Sequence, residues 1–215
     1  MNRPSKITTL FLDIGGVLLT DGWPHAARML AAGTFDLDPE ELEIRHHQVF
    51  DTYESGKLRL KNYLDWVVFH QQRGFTPARF QEFMFAQSRA LPGMIELIRH
   101  LKTKFGLRII VVSNEGRELN AHRIHSFHLN GFVDAFISSC FVHLRKPDPD
   151  IFRLALDIAQ VPPGQIVYLE NTPMFIQIAA DLGIQGLLHR EYASTRAGLA
   201  RFGLTMDPGG APEPD

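Results

Sequence analysis

The sequence has one cysteine, no long apolar run and no basic cluster. The single cysteine, Cys140, excludes an intramolecular disulfide and suits a reducing compartment. No stretch approaches the roughly 18 apolar residues of a membrane span, and the run after "MNRPSK" is cut by Asp13 and lacks a signal-peptide cleavage site. The net charge of −2 makes nucleic acids and anionic membranes poor partners. These features predict a cytoplasmic protein.

Apolar segments that end in polar or small residues predict strands at 8–13, 107–114, 134–139, 165–171 and 184–189. Several are nearly continuous apolar runs, as expected of strands buried on both faces of a parallel sheet. Segments with helical character lie between the last four strands, at 116–129, 148–160 and 173–183. Alternating strands and helices predict an α/β fold with a Rossmann-like, doubly wound parallel sheet.

Residues 22–90 interrupt this alternation. They contain no good strand, and apolar residues recur at helical spacing in 39–56, 60–74 and 77–88. We therefore predict an α/β core formed by residues 1–20 and 90–205, with an all-helical cap inserted at 21–89. The tail 206–215 is rich in Pro, Gly and acidic residues, and we expect it to be disordered.

Polar side chains stand at the ends of the predicted strands, where open α/β sheets bind their ligands. Taken singly, an Asp or Ser after a strand is usually a turn or helix-cap residue, and a lone Lys is usually on the surface. Taken together, these residues predict a site at one edge of the sheet. They are Asp13, Ser113, Asn114, Lys146, Glu170 and Asn171.

Four segments resemble the motifs of the haloacid dehalogenase (HAD) superfamily: "FLDIGGVL", "IIVVSNEG", "LRKPDPDIF" and "IVYLENTPM". A fifth, "YESGKLRLKNYL", resembles the helical, C1-type caps of its phosphatase-like branch. The resemblance extends over the chain to about residue 205. It implies a Mg²⁺-dependent hydrolase, a phosphatase that acts on a small phosphorylated metabolite through an aspartyl-phosphate. A monomer and a homodimer fit equally.

The resemblance implies catalytic and phosphate-binding roles. Asp13 is expected to be the nucleophile, and Lys146 is expected to neutralise it and the transferring group. Ser113, together with Asn114 and the N–H groups that open the next helix, is expected to hold phosphate oxygens. The glycines of the first motif, Gly15 and Gly16, are expected to turn the chain and bring N–H groups near the substrate.

The resemblance also implies a Mg²⁺ site with oxygen ligands, formed by Asp13, the carbonyl of Gly15, Glu170 and Asn171. The family usually has a second acidic residue in its fourth motif, whereas this chain has Asn171. An amide oxygen can ligate a metal ion but supplies no charge. We therefore expect a weakened metal site.

A second departure from the family pattern concerns the proton donor. Phosphatases of the family usually carry an Asp two residues after the nucleophile, and this chain has Gly15 there. Loss of a general acid typically costs about 10²–10⁴ in rate. By sequence, the nearest substitutes are Glu170, Glu115 and Asp21. Alternatively, the enzyme is confined to activated aryl or acyl phosphates.

Two other functions stay open. A catalytically reduced HAD-fold binding protein would explain the loss of two carboxylates. A 2-haloacid dehalogenase would explain Gly15, because expelling halide needs no acid and no metal, but an arginine such as Arg28 or Arg45 would have to cradle the substrate. The aromatic residues Trp23, Phe50 and Tyr53 either line a substrate cavity or pack the cap helices.

Overall fold

The computed structural model describes residues 6–206, so nearly all of the tail predicted to be disordered lies outside the described residues. Within this range, five parallel strands form one sheet in the order β3-β2-β1-β4-β5. The strands are β1 (Thr9–Leu12), β2 (Arg108–Ser113), β3 (Ala135–Ser138), β4 (Ile166–Glu170) and β5 (Gln185–Leu188). The predicted α/β fold with a parallel sheet is confirmed.

The central strands are buried on both faces, which explains their continuous apolar character. In β1, Leu10 and Leu12 belong to one apolar layer, and Phe11 belongs to the layer on the opposite face. Helices α5 (Met94–Phe105) and α10 (Tyr192–Arg201) contribute to the first layer. Helices α8 (Asp150–Ala159) and α9 (Pro173–Asp181) contribute to the second. The core therefore has three layers, with the sheet in the middle.

Two further core helices are α6 (Arg117–Ser126) and α7 (Ser139–Val142). Helices α6, α8 and α9 correspond to predicted helical segments, whereas α5, α7 and α10 were not predicted. Helix α7 has only four residues, and the buried face of α10 includes the small residues Thr195 and Gly198. Both lack a strong apolar period. Helix α5 has a clear apolar face, with Met94, Leu97, Ile98 and Leu101 buried at helical spacing, so its period is present in the sequence.

The segment between β1 and α5 is helical, as predicted. It contains α1 (His25–Phe35), α2 (Pro39–Glu54), α3 (Leu60–Val67) and α4 (Pro77–Phe85). Asp38 and Thr76 cap α2 and α4 through their side-chain oxygens. These helices share an apolar cluster that is separate from the two layers of the core and includes Phe35, Tyr63, Phe80 and Met84.

The helical cap is fastened to the core at the end of α2. The carbonyl of Glu54 accepts a hydrogen bond from Ser139 Oγ at 2.6 Å, and the Glu54 carboxylate pairs with Arg145 at 2.6 Å. These contacts hold the cap over the carboxyl edge of the sheet. No helix among residues 6–206 is long and apolar enough to cross a membrane.

Candidate active site

The sheet order brings three of the predicted site residues together. Strand β1 lies between β2 and β4, with Leu12 opposite Val111 and Leu169. The residues that end or follow these strands therefore meet at one edge: Asp13, Ser113 and Glu170. The N–H of Asp13 continues the ladder by donating to the carbonyl of Leu169 at 3.0 Å.

Lys146 enters this cluster from the loop before α8. Its ammonium lies 3.1 Å from Asp13 Oδ2 and 2.7 Å from Glu170 Oε2. Both Lys146 and Glu170 are fully buried, whereas the Asp13 side chain keeps 13% of its surface exposed. One carboxylate therefore faces the open side of the cluster and the other lies behind the ammonium.

Glu170 has no free acceptor position. Its Oε1 accepts hydrogen bonds from the N–H groups of Asn171 and Thr172, each at 2.9 Å. Its Oε2 accepts from the Lys146 ammonium and the Tyr168 hydroxyl. A carboxylate offers about four lone-pair positions, so these donors occupy all of them. The predicted metal-ligand role of Glu170 conflicts with this geometry, in which Glu170 is the counterion of Lys146.

The surroundings shift the pKa values of the Asp13–Lys146 pair. Burial raises the pKa of Asp13 to about 6, against the opposing effect of the Lys146 ammonium, and the Glu170 carboxylate adds to the rise. For Lys146, burial disfavours the charge, but the two carboxylates outweigh it and raise its pKa. Lys146 is therefore a permanent positive charge at neutral pH.

The side chain of Asn114 holds the Lys146 loop. Its Oδ1 accepts from the N–H of Lys146 at 2.9 Å, and its Nδ2 donates to the carbonyl of Lys146 at 2.8 Å. Both functional groups of the amide are thus occupied. These hydrogen bonds give Asn114 a positioning role for Lys146, and its phosphate contact stays a prediction. Among residues 6–206, the buried hydroxyl of Ser113 has no hydrogen bond of ordinary geometry, yet it lies close enough to Asp13 to help lower the pKa of Asp13.

The turn after Asp13 is compact. The N–H of Gly16 donates to the carbonyl of Leu19 at 2.7 Å. It is therefore committed within the turn, whereas the sequence predicted that it would face the substrate. Gly16 has φ of +66°, and a Cβ there would collide with the Asn171 side-chain amide. Glycine is required at this position by backbone conformation and by close packing.

Even without Glu170, the oxygen atoms available at this turn suit a hard cation. Asp13 supplies a carboxylate, and Gly15 and Asn171 supply neutral oxygens. Within residues 6–206, no three His, Cys, Asp or Glu side chains are grouped to hold a metal. Mg²⁺ commonly uses one or two carboxylates and keeps several waters, so one carboxylate with two neutral oxygens suits it, as a weak site.

A cavity of about 360 Å³ lies between the cap and Asp13. Trp23, Phe50 and Tyr53 line it, so the aromatic residues singled out in the sequence do face this space. His46 also lines it and accepts or donates a hydrogen bond with the Tyr63 hydroxyl at 2.8 Å. Burial lowers the pKa of His46 to about 3, which keeps the ring neutral.

Two ion pairs flank the cavity, one buried and one partly exposed. Glu115 pairs with Arg123, which is fully buried and also donates to the carbonyl of Thr20. Burial raises the pKa of Glu115 to about 7, against the effect of Arg123. Glu54 pairs with Arg145. Arg123 and Glu54 were missed in the sequence because neither has a recognisable motif, and only the fold brings each of them to its partner.

The two arginines considered for a haloacid are already occupied. Arg28 lines the cavity, but it pairs with Glu43 and donates to the carbonyl of Trp23 at 2.6 Å. Arg45 pairs with Glu41 and donates to the carbonyl of Trp66. The described structure therefore offers no uncommitted guanidinium at either position for a substrate carboxylate.

The chain belongs to the haloacid dehalogenase-like hydrolase family, whose sequence model matches residues 7–183. This confirms the resemblance and the class of enzyme drawn from the motifs. The solved structures that it resembles include a HAD family enzyme from Bacteroides thetaiotaomicron in complex with magnesium and inorganic phosphate. That likeness has a TM-score of 0.71 and 16% identity, over 86% of this chain and 94% of the other.

An L-2-haloacid dehalogenase is also similar in fold, with a TM-score of 0.63 and 18% identity, over 88% of this chain and 91% of the other. Among curated proteins, rat bifunctional epoxide hydrolase 2 is 30% identical over 60% of this chain, which spans only 24% of that protein's length. Flavin mononucleotide hydrolase 1 of Arabidopsis thaliana is 22% identical over 96% of this chain and 82% of its own length.

Proposed function

We propose that this protein is a phosphatase that hydrolyses a small phosphorylated metabolite through an aspartyl-phosphate on Asp13. The observation that carries the proposal is the position of the Lys146 ammonium, between a partly exposed Asp13 and a buried Glu170. A fixed positive charge beside a carboxylate that faces a cavity suits attack on an anionic phosphoryl group. Relatives named as phosphate-ester hydrolases, including the Arabidopsis enzyme and a phosphorylated carbohydrates phosphatase of Thermotoga maritima, support it.

Each residue of the cluster has a part in the reaction. An Asp13 oxygen attacks phosphorus, and the ester P–O bond breaks. Lys146 neutralises the charge that is shared between Asp13 and the phosphoryl oxygens, while Glu170 and Asn114 hold Lys146 in place. The buried Ser113 hydroxyl, which lies beside Asp13, donates to a phosphoryl oxygen. Water then cleaves the aspartyl-phosphate and releases inorganic phosphate.

Asp13, the Gly15 carbonyl and Asn171 are the residues that would hold Mg²⁺, and the ion would neutralise further phosphoryl charge. The leaving group would occupy the aromatic cavity beneath the cap. Its volume of about 360 Å³ suits a small metabolite, since ligand pockets usually start near 300 Å³.

The test compares wild type with Asp13→Asn on p-nitrophenyl phosphate and acetyl phosphate, with and without Mg²⁺. We expect Mg²⁺-stimulated hydrolysis in the wild type and its loss in the folded variant. A wild type that is inactive on both phosphates and releases chloride from 2-chloropropionate would support a dehalogenase instead. Inactivity on all three compounds, with the protein folded, would support a binding protein.

A further inference from the structure

The proposed reaction leaves one chemical requirement unmet. When the ester bond of an alkyl phosphate breaks, the leaving oxygen takes the electron pair and needs a proton, whereas an aryl or acyl leaving group does not. Lys146 cannot readily supply it, because the carboxylates of Asp13 and Glu170 keep the ammonium charged. The proton must come from another group that lines the cavity.

Most carboxylates near the cavity are already paired. Glu54 is held by Arg145, and Glu115 is held by the buried Arg123. Glu170 is buried, and its acceptor positions are filled by four donors. Glu54 and Glu115, which also line the cavity, are thus held by arginines, and Glu170 is held by its four donors.

Asp21 differs from these three. It lines the same cavity as Asp13, it is exposed, and within residues 6–206 its side chain forms no ion pair and no hydrogen bond. Its Oδ1 lies 3.2 Å from the point where a Cβ on Gly15 would stand and 3.1 Å from the equivalent point on Gly16. The carboxylate of Asp21 thus fills the space that the missing side chain of Gly15 leaves open.

The backbone next to Asp21 is anchored on several sides. The N–H of Thr20 donates to the carbonyl of Arg89 at 2.8 Å, and its Oγ1 donates to the carbonyl of Gln87 at 2.9 Å. Its carbonyl accepts from the buried Arg123. Asp21 is therefore, among the described residues, an unpaired carboxylate on an anchored backbone, and it lines the same cavity as the nucleophile.

We propose that Asp21 is the general acid and base of the reaction, and that the substrates of this protein therefore include unactivated alkyl phosphate esters. The inference rests on the proposed phosphatase function. As Asp13 attacks phosphorus and the P–O bond breaks, the Asp21 carboxyl gives its proton to the leaving oxygen and an alcohol departs. In the second step, the Asp21 carboxylate takes a proton from water. The resulting oxygen attacks phosphorus, Asp13 regains its electron pair, and phosphate leaves.

The first experiment measures single-turnover release of the leaving group from a series of phosphate monoesters, from p-nitrophenyl phosphate to an alkyl ester such as glycerol phosphate. We expect Asp21→Asn to slow the alkyl ester by about 10²–10⁴ and p-nitrophenyl phosphate by no more than a few-fold. The rate should consequently depend more steeply on the basicity of the leaving group. With p-nitrophenyl phosphate, the variant should show a burst of product and slow turnover, because water attack also needs Asp21.

Glu191→Gln is the matched control, since Glu191 is an exposed carboxylate on the rim of the neighbouring cavity that Asp21 also lines. It should match the wild type across the series. Equal loss on all esters in Asp21→Asn would indicate a structural role and overturn the inference while leaving the phosphatase function standing. A wild type that is inactive on every ester would overturn both.

A relocated carboxylate gives an independent test. Gly15 does not have the left-handed conformation, and a Cβ there meets mainly Asp21. In the double variant Gly15→Asp/Asp21→Asn, a carboxyl group returns to the same space. We therefore expect this variant to hydrolyse the alkyl ester at least about tenfold faster than Asp21→Asn does. No recovery in a folded double variant would count against proton transfer at this position.

Discussion

The ammonium of Lys146 lies 2.7 Å from Glu170 Oε2, and both side chains are buried. Glu170 thereby acts on the side of Lys146 that faces away from the cavity, while Asp13 contacts the same ammonium from the cavity side. A lysine held in this way has its charge and its position fixed before a substrate arrives, which is the condition for electrostatic stabilisation without reorganisation.

The first prediction concerns Glu170→Gln. Removing one partner of a buried ion pair typically destabilises a protein by about 3–5 kcal/mol, and we expect a loss of this order. Because the four donors already occupy Glu170, Mg²⁺ affinity should change by less than about threefold, as the residue is not a ligand in this geometry. Urea unfolding and calorimetric titration with Mg²⁺ measure the two effects.

Tyr168→Phe is the control for this variant, since it removes one donor to Glu170 and keeps the ion pair with Lys146. Because the lost hydrogen bonds are to charged groups, Glu170 and Lys146, it should cost about 1.5–3 kcal/mol, less than Glu170→Gln. If Glu170→Gln instead kept its stability and bound Mg²⁺ tenfold more weakly, Glu170 would be a metal ligand and the counterion interpretation would be wrong.

The fold was largely predictable because its central strands are buried on both faces and so leave continuous apolar runs, as in β1 and β4. The convergence of Asp13, Ser113 and Glu170 follows from strand ends in a parallel sheet. The partners of each side chain were not predictable. That Asn114 binds the Lys146 backbone depends on where a distant loop packs, and no local pattern records it.

The availability of Asp21 could not be predicted from the sequence either. The sequence named it beside Glu170 and Glu115 as a candidate substitute for the missing acid, with nothing to choose among the three. The distinction came from tertiary contacts, which pair Glu115 with Arg123, fill the acceptors of Glu170 and leave Asp21 free among the described residues. Ion pairing between elements distant in the chain therefore decides which carboxylates remain available.

The second prediction compares two adjacent glycines. Gly16→Ala should destabilise the protein and reduce activity strongly, because its φ of +66° is strained for alanine and the new Cβ would strike Asn171. We expect a loss of about 1–3 kcal/mol from the backbone strain alone. Gly15→Ala is the matched control, whose nearest neighbour would be Asp21 Oδ1 at 3.2 Å. Thermal unfolding should show the larger decrease in Tm for Gly16→Ala, and equal decreases would contradict the steric explanation.

The third prediction concerns pH. The pKa of His46 falls from 6.5 to about 3 on folding, so between these values the unfolded chain binds a proton that the folded protein does not. Stability is therefore fully present above pH 6.5 and decreases as the pH falls toward 3. The slope is about 1.4 kcal/mol per pH unit, so at pH 5 the loss attributable to His46 is about 2 kcal/mol.

His46→Phe should remove this part of the acid sensitivity, since it leaves a ring that can still stack on Phe50. Urea unfolding of wild type and variant at pH 5 and pH 7.5 gives the difference. The neighbouring His47, with 64% of its side chain exposed, is the control, and His47→Phe should retain the pH dependence of the wild type. Parallel pH profiles for wild type and His46→Phe would show that burial of this ring is not the cause.

The last prediction tests the cation site at its weakest ligand. Asn171→Asp adds a negative charge beside Gly16, next to the turn that carries Asp13. Within the described part of the chain, the Asn171 Nδ2 group makes no hydrogen bond that the change would remove. Because ligand charge governs the affinity of oxygen sites, we expect Mg²⁺ to bind about tenfold more tightly, with calorimetric titration as the measurement. Asn171→Ala should bind it more weakly than the wild type. If both variants matched the wild type, Asn171 would lie outside the cation site, and the donors would reduce to Asp13 and the Gly15 carbonyl.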